Sequence, residues 1–329
     1  MLPRVGAAIL SRVDETRATP ASVPEPRRGG LAGAIVPGLF AALTWGLSPA
    51  ILKRWAGEEL SVLVRSGWMN AAAGLALTIY LAVRPRERRG PPIERADLPW
   101  LAGATLCGAV VGPFALLRGL ELAPAHVASL LLNFEVVATA VLAAVFFGEP
   151  ATRRRIAGVV LVTAGGAVVA GASPPSAGGG DDPMMGGLWI ALACVAWALD
   201  NNLTRRIAQR DAPTLARAKL LVGGMLSLLL AVALGAFPSS VPVRDVVVLG
   251  AVGAIGVGAS LALFIVSLRR VGAARTSVIF GTAPFVGAVA AALILHERFS
   301  PWTLVAAVAM AAGVALVATE PAADPAPSS

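Results

Sequence analysis

Ala41-Ala42-Leu43-Thr44-Trp45-Gly46-Leu47 returns, 152 positions later, as Ala193-Cys194-Val195-Ala196-Trp197-Ala198-Leu199, and the same shift sets Arg65 on Arg217. Further along, a shift of 148 places Asp97 on Asp245, Gly108 on Gly256, Leu120 on Leu268, Ser129 on Ser277, Glu149 on Glu297 and Gly165 on Gly313. A single gap reconciles the two shifts. An ordered set of matches of this kind is a duplication, and duplications fix architecture.

Each copy is made of long apolar runs. Ten of them, at 32–51, 62–82, 99–117, 124–146, 154–171, 187–206, 215–236, 246–266, 274–294 and 301–319, approach the 20 or so residues that a helix needs to cross a bilayer. Hydrophobic residues make up 57% of the 329-residue chain and charged residues only 14%; mean hydropathy is +0.76. A chain so poor in charge cannot face water all round. The expected fold is all-α and membrane-integral, with ten transmembrane helices in two five-helix repeats. Residues 31–172 and 186–319 form the repeats, and 173–185 form an external Gly/Pro-rich linker. Residues 1–30 and 320–329 are expected to be cytoplasmic tails, the first disordered. The apolar stretch Val5 to Leu10 is too short for a signal-peptide core.

Arginine and lysine orient the runs. With the N-terminus inside, 21 of the 27 basic residues fall on the inner side, including the Arg84–Arg89 and Arg153–Arg155 turns. Basic residues gather on the cytoplasmic side of membrane proteins, so both termini are expected there. The net charge of +8 is thus topological, with no basic aromatic-interleaved patch for nucleic acid. The near-exclusive use of Arg over Lys fits a GC-rich bacterial genome and a bacterial inner membrane. Because each copy has five helices, an odd number, the second enters from the opposite face. Such inverted repeats are common in secondary transporters.

The stretch Val145-Phe146-Phe147-Gly148-Glu149, with Ile156-Ala157-Gly158 and Gly165-Gly166 after it, and the copy Pro284 … Leu295-His296-Glu297 … Gly313, resemble the repeat ends of EamA-type carriers in the drug/metabolite transporter superfamily. Trp45, Trp197, Arg65 and Arg217 fit the same pattern. The resemblance, over about 32–319, implies a secondary active transporter, an exporter of a small metabolite working by alternating access. Its substrate class is left open across amino acids, drugs, sugars and nucleotide precursors. One departure stands out: the first copy has Glu135-Val136 where the second has Ala283-Pro284.

Ionisable groups inside a bilayer are costly and usually kept for function. Glu135, near the centre of the fourth run, has Leu131, Leu132, Ala138 and Thr139 as helical neighbours. Low dielectric favours its neutral form, which suits proton coupling or binding of a substrate amine; the alternative is a buried ion pair, through Arg118, that locks two helices. Asp200 shares a face with Trp197 and Thr204, beside Asn201 and Asn202, and answers to Ser48 in the first copy as Trp197 answers to Trp45. Its alternative is a helix-end residue wetted by the interface. Asn133 and Thr282 are candidate polar lining, and Arg118, expected to pair with Glu121, could reach an anion from an outer cavity. Pro284 is expected to bend the ninth helix. Glu149 and Glu297 read as structural, each capping the next helix and pairing with nearby arginine. The glycines of the eighth run, Gly250, Gly253, Gly256 and Gly258, read as packing, through a Gly250/Ala254/Gly258 seam.

Cys107 and Cys194 lie in apolar runs, and with two histidines and no HExxH or CxxC there is no metal or redox framework and no cofactor motif. An enzyme is not expected: the His, Asp and Lys cluster of a membrane-embedded transferase is missing. A non-transporting subunit or sensor is the other alternative. The expected partners are the small-molecule substrate, the lipid bilayer and protons, without nucleic acid, in a monomer or homodimer.

Overall fold

A computed structural model describes residues 31–56, 59–147, 152–172 and 182–318. Among the described residues ten helices are long and apolar enough to cross a membrane: α1 Ile35–Trp55, α2 Val62–Val83, α3 Arg95–Leu122, α4 Ala125–Val145, α5 Arg153–Gly171, α6 Pro183–Arg205, α7 Ala212–Ala233, α8 Val243–Val271, α9 Arg275–Leu295 and α10 Pro301–Ala318. Their flanks carry the expected stop and start chemistry. Ser61, Asp182 and Asp211 each cap the following helix with a side-chain oxygen. Proline enters the first turns of α6 and α7, where its missing N–H costs nothing.

The duplication is visible in the packing. The most extensive contacts are α2 with α7 and α5 with α10, and the others come in exchanged pairs: α3–α6 with α1–α8, α4–α6 with α1–α9, and α3–α7 with α2–α8. Replacing each helix by its counterpart five places on maps this pattern onto itself. Even the irregularities repeat. α3 contains a π-helical stretch, Leu106–Val111, and α8 another, Val252–Ala259. α4 breaks at Leu132–Asn133 and α9 at Gly281–Thr282.

Several boundaries differ from the sequence expectation. α3 and α8 are longer than their apolar runs, because polar ends such as Arg95 and Asp97 are helical but not hydrophobic. α6 starts at Pro183, inside the stretch assigned to the linker, since the Asp182 side chain accepts from the Met185 amide at 3.0 Å and starts the helix there. The α8 seam is also different. Gly253 and Gly258 press on the α2 backbone, where an added Cβ on Gly258 would stand 2.7 Å from Ala73 O, whereas a Cβ on Gly250 would only reach the Trp68 indole nitrogen at an ordinary 3.8 Å.

Two ionic clusters mark opposite ends of the bundle. At one, Arg84 donates to both oxygens of Asp211 (2.8 and 3.1 Å), the Gly90 amide donates to the same carboxylate, and Arg210 pairs with Glu94 and Asp97. Burial pushes the Asp211 carboxyl up, but the Gly90 amide, Thr214 and Arg84 outweigh it and hold it below its ordinary value. At the other end Glu121 bridges Arg65 and Arg118, and Lys53 donates to Ala123 O at 2.5 Å.

Candidate functional site

Glu135, Asp200 and Lys219, with the amides and hydroxyls bonded to them, converge where α3, α4, α6 and α7 meet. The break in α4 arises locally: the Asn133 side-chain amide donates to Leu130 O at 2.8 Å, in competition with the helix ladder. Glu135 therefore stands in the first turn of a new helical segment, where a carboxylate faces the positive end of the helix dipole. Its Oε1 accepts from Asn201 Nδ2 at 3.0 Å, and the same amide reaches Thr139 Oγ1 at 3.3 Å. Asn202 adds a bond to Thr139 O at 3.3 Å. Two successive asparagines of α6 thus grip the segment that carries Glu135.

Asp200, the residue just before this asparagine pair, faces α7. Lys219 Nζ donates to its Oδ1 at 2.5 Å, Thr204 Oγ1 donates to the same oxygen at 2.9 Å, and Lys219 reaches Thr204 Oγ1 at 3.2 Å. The carboxylate rests on Gly108 so closely that no side chain could stand there. Trp197 donates through Nε1 to Gly108 O at 3.0 Å, a carbonyl in the π-helical stretch of α3. There the i→i−4 ladder is interrupted and carbonyls become available. Asp200 is 9% exposed, so the reading of a residue wetted at a helix end does not hold.

The other copy repeats this arrangement with different chemistry. Ser48 packs on Gly256 as Asp200 packs on Gly108, yet its hydroxyl only donates back to Thr44 O at 3.0 Å. Trp45 and Trp197, counterparts in the duplication, meet edge to face with centroids 6.0 Å apart, and Phe280 stands 6.4 Å from Trp45. An aromatic pair is therefore drawn from both copies, as is the polar cluster, with Glu135 and Thr139 from the first copy bonded to Asn201 and Asn202 from the second.

The remaining candidates are placed elsewhere. Arg118 pairs with Glu121 at 2.6 Å, as expected for that turn, and does not lock Glu135. Thr282 is exposed, its hydroxyl donating to Ile279 O at 2.7 Å. Pro284 opens the second segment of α9 just after its break. Asn133 is buried, and its Oδ1 has no partner. Glu149 lies outside the described residues. Glu297 caps a helix, but not the next one. His296 turns left-handed (φ 56°), and the Glu297 carboxylate accepts from the Ala125 and His126 amides at 2.8 and 2.9 Å, with His126 Nδ1 2.6 Å away. It therefore caps α4, in the other copy, and its partner is a histidine rather than an arginine. Burial pushes the Glu297 carboxyl up, but these bonds outweigh it and hold it below its ordinary value. Among the described residues no group of three or more His, Cys, Asp or Glu is placed to hold a metal ion.

Lys219 and Gly108 are the site residues that sequence reasoning missed. The charge count puts Lys219 among the 21 inner basic residues, although it stands eight positions into α7; its depth is the available signal.

The sequence profile of the EamA-like transporter family matches residues 32–171 and again 184–319. A protein of Methanothermobacter thermautotrophicus described as an uncharacterized transporter is 27% identical over 223 residues, 68% of this chain and 65% of that protein. The aligned part is slightly under two thirds of that relative. A solved crystal structure shares the fold, with a TM-score of 0.60 at 19% identity, over 88% of this chain and 98% of that one. Family profiles on both copies and ten spans across them lead to one conclusion: the chain is a multi-pass membrane protein that belongs to the EamA-like transporter family, within the drug/metabolite transporter superfamily.

Proposed function

We propose that the protein is a proton-coupled exporter of a small metabolite in a bacterial inner membrane, with both termini cytoplasmic, and that Glu135 carries the coupling. The observation behind this is the Glu135–Asn201 bond at the break of α4, beside an aromatic pair contributed by both copies. A carboxylate held by a neutral donor, with no cation in contact among the described residues, can exchange a proton for a substrate group. Asp200, neutralised by Lys219, cannot do so as easily, and its role is to position α6 and α7 around the site. Five spans in each copy, an odd number, support an antiparallel pair of repeats whose rocking exposes the site to each side in turn. Outward direction follows from analogy with carriers of this superfamily.

The test is purified protein in liposomes under an imposed pH gradient, with a metabolite pool inside. Glu135→Gln should abolish gradient-driven movement while leaving downhill exchange. Equal gradient dependence in the variant and the parent protein would remove Glu135 from the coupling.

A further inference from the structure

α4 and α9 are counterparts, each broken near its middle. The duplication alone would make their two contacts alike: the first segment of α4 on the second of α9, and the first of α9 on the second of α4. They are not alike. Ala125–Leu131 packs closely on Ala283–Leu295, and every residue of that α4 segment is buried. Ala273–Phe280 makes no comparable contact with Phe134–Phe147 among the described residues, and Arg275, Ser277 and Val278 are exposed.

The close contact is tight. A Cβ on Gly287 would stand 2.5 Å from Ser129 Oγ and 2.8 Å from Gly46 O, so α1, α4 and α9 meet there with no room for another side chain. In the duplication Ser277 and Thr139 hold the places of Ser129 and Gly287. Ser277 is exposed, and Thr139 takes its bonds from Asn201 and Asn202 of α6 instead. The two helices are thus shut together at the end where α9 finishes and parted at the end where it starts.

One side chain ties the shut end. The Glu297 carboxylate, just past α9 in the second copy, accepts from the Ala125 and His126 amides at the start of α4 in the first, with His126 Nδ1 at 2.6 Å. His126 is 4% exposed and its ring lies against Phe299, centroids 5.2 Å apart. Ala274 is the counterpart of His126, so the duplication gives the other end no histidine for this contact.

We propose that Glu297 and His126 are the latch of a gate between the two copies. Paired, they hold this end shut while the other stands open; released, they let the copies rock to the opposite state. A contact made at one end and missing from its counterpart is what two exchangeable end states require, and packed interfaces switch between such states rather than deform gradually. The latch rests on the rocking of repeats proposed above, not on the role given to Glu135. In the orientation set by the charge bias, the latched end faces outwards.

Hydrogen exchange read by mass spectrometry, on the full chain in lipid nanodiscs, follows both ends at once. In Glu297→Gln, which keeps the shape and loses the charge, amides 127–132 should exchange about fivefold faster or more, and amides 275–281 correspondingly slower. Gly287→Ala, which wedges the seam while leaving the carboxylate in place, should shift both ends the same way. Faster exchange in α4 with no slowing at the start of α9 would reduce Glu297 to a local cap and overturn the latch. Faster exchange along the whole chain would mean a lost fold in that variant. His126→Gln, which leaves both amide bonds, then decides: a reciprocal change upholds the latch and its absence overturns it. The measurement needs neither substrate nor gradient. A parent protein that transports in liposomes, with no reciprocal change in the variants, refutes the latch alone; a parent that transports nothing refutes the transporter reading and the latch with it.

Discussion

Replacing Lys219 with methionine keeps the length and apolar stem of the side chain and removes its charge. The ammonium lies 2.5 Å from Asp200 Oδ1, and the two side chains are 15% and 12% exposed. At an effective dielectric of about 20, unit charges roughly 3 Å apart attract by about 5–6 kcal/mol, much of it offset by desolvation of both groups. In Lys219→Met the Asp200 carboxylate keeps only the Thr204 hydroxyl and stays pressed on Gly108. Stranding one member of a buried pair costs about 3–5 kcal/mol, and that is the expected loss. Asp200→Asn combined with Lys219→Met removes both charges and should recover at least half of it, a coupling of about 2 kcal/mol or more between the positions. Reversible unfolding in mixed micelles, followed by the fluorescence of the seven tryptophans, measures all three variants. A loss below about 1 kcal/mol in Lys219→Met, or a double variant no more stable than the single one, would refute the mutual compensation argued for this pair.

Two further outcomes follow from the same geometry. Because the Asp211 carboxyl is held below its ordinary 3.8, its stabilisation is complete above that value and disappears as pH falls through the lower native one. Acid titration of unfolding should therefore show an extra loss below about pH 4 that Asp211→Asn lacks, with the variant already less stable at pH 7. Gly108→Ala drives a methyl into Asp200, pinned by Lys219 and Thr204, and should cost about 1–3 kcal/mol. The tight contact of Gly256→Ala is with the Ser48 hydroxyl, which can rotate away, Thr44 O and Ser48 Cβ standing at ordinary contact distances, so thermal unfolding should place it clearly above Gly108→Ala.

The spans were legible because apolar length is what a bilayer demands, and the duplication was legible because pairs such as Trp45 and Trp197 survived in both copies. Helix ends were less so. Asp97 is buried by pairing with Arg210, and hydropathy cannot register a charge that is neutralised by a distant residue. The π-helical stretches have no sequence period of their own, so the contacts of Gly108 and Gly256 were visible only as aligned glycines. Glu135, Asp200 and Asn201 were found because a bilayer makes polar groups conspicuous. Lys219 escaped because the charge bias that orients the chain also gave it an ordinary explanation. Glu297 was recognised as a cap, but the helix it caps is 171 positions away in sequence from its own.

That long-range cap has a consequence for biosynthesis. The amides of Ala125 and His126 are made well before their acceptor, Glu297, which lies 172 and 171 positions further along the chain. Until then the start of α4 carries open donors, so the first copy enters the membrane with an unfinished edge that only the second can complete. Gene duplication here produced interdependent halves: a first copy expressed alone should be degraded rapidly, and one co-expressed with the second copy should be rescued.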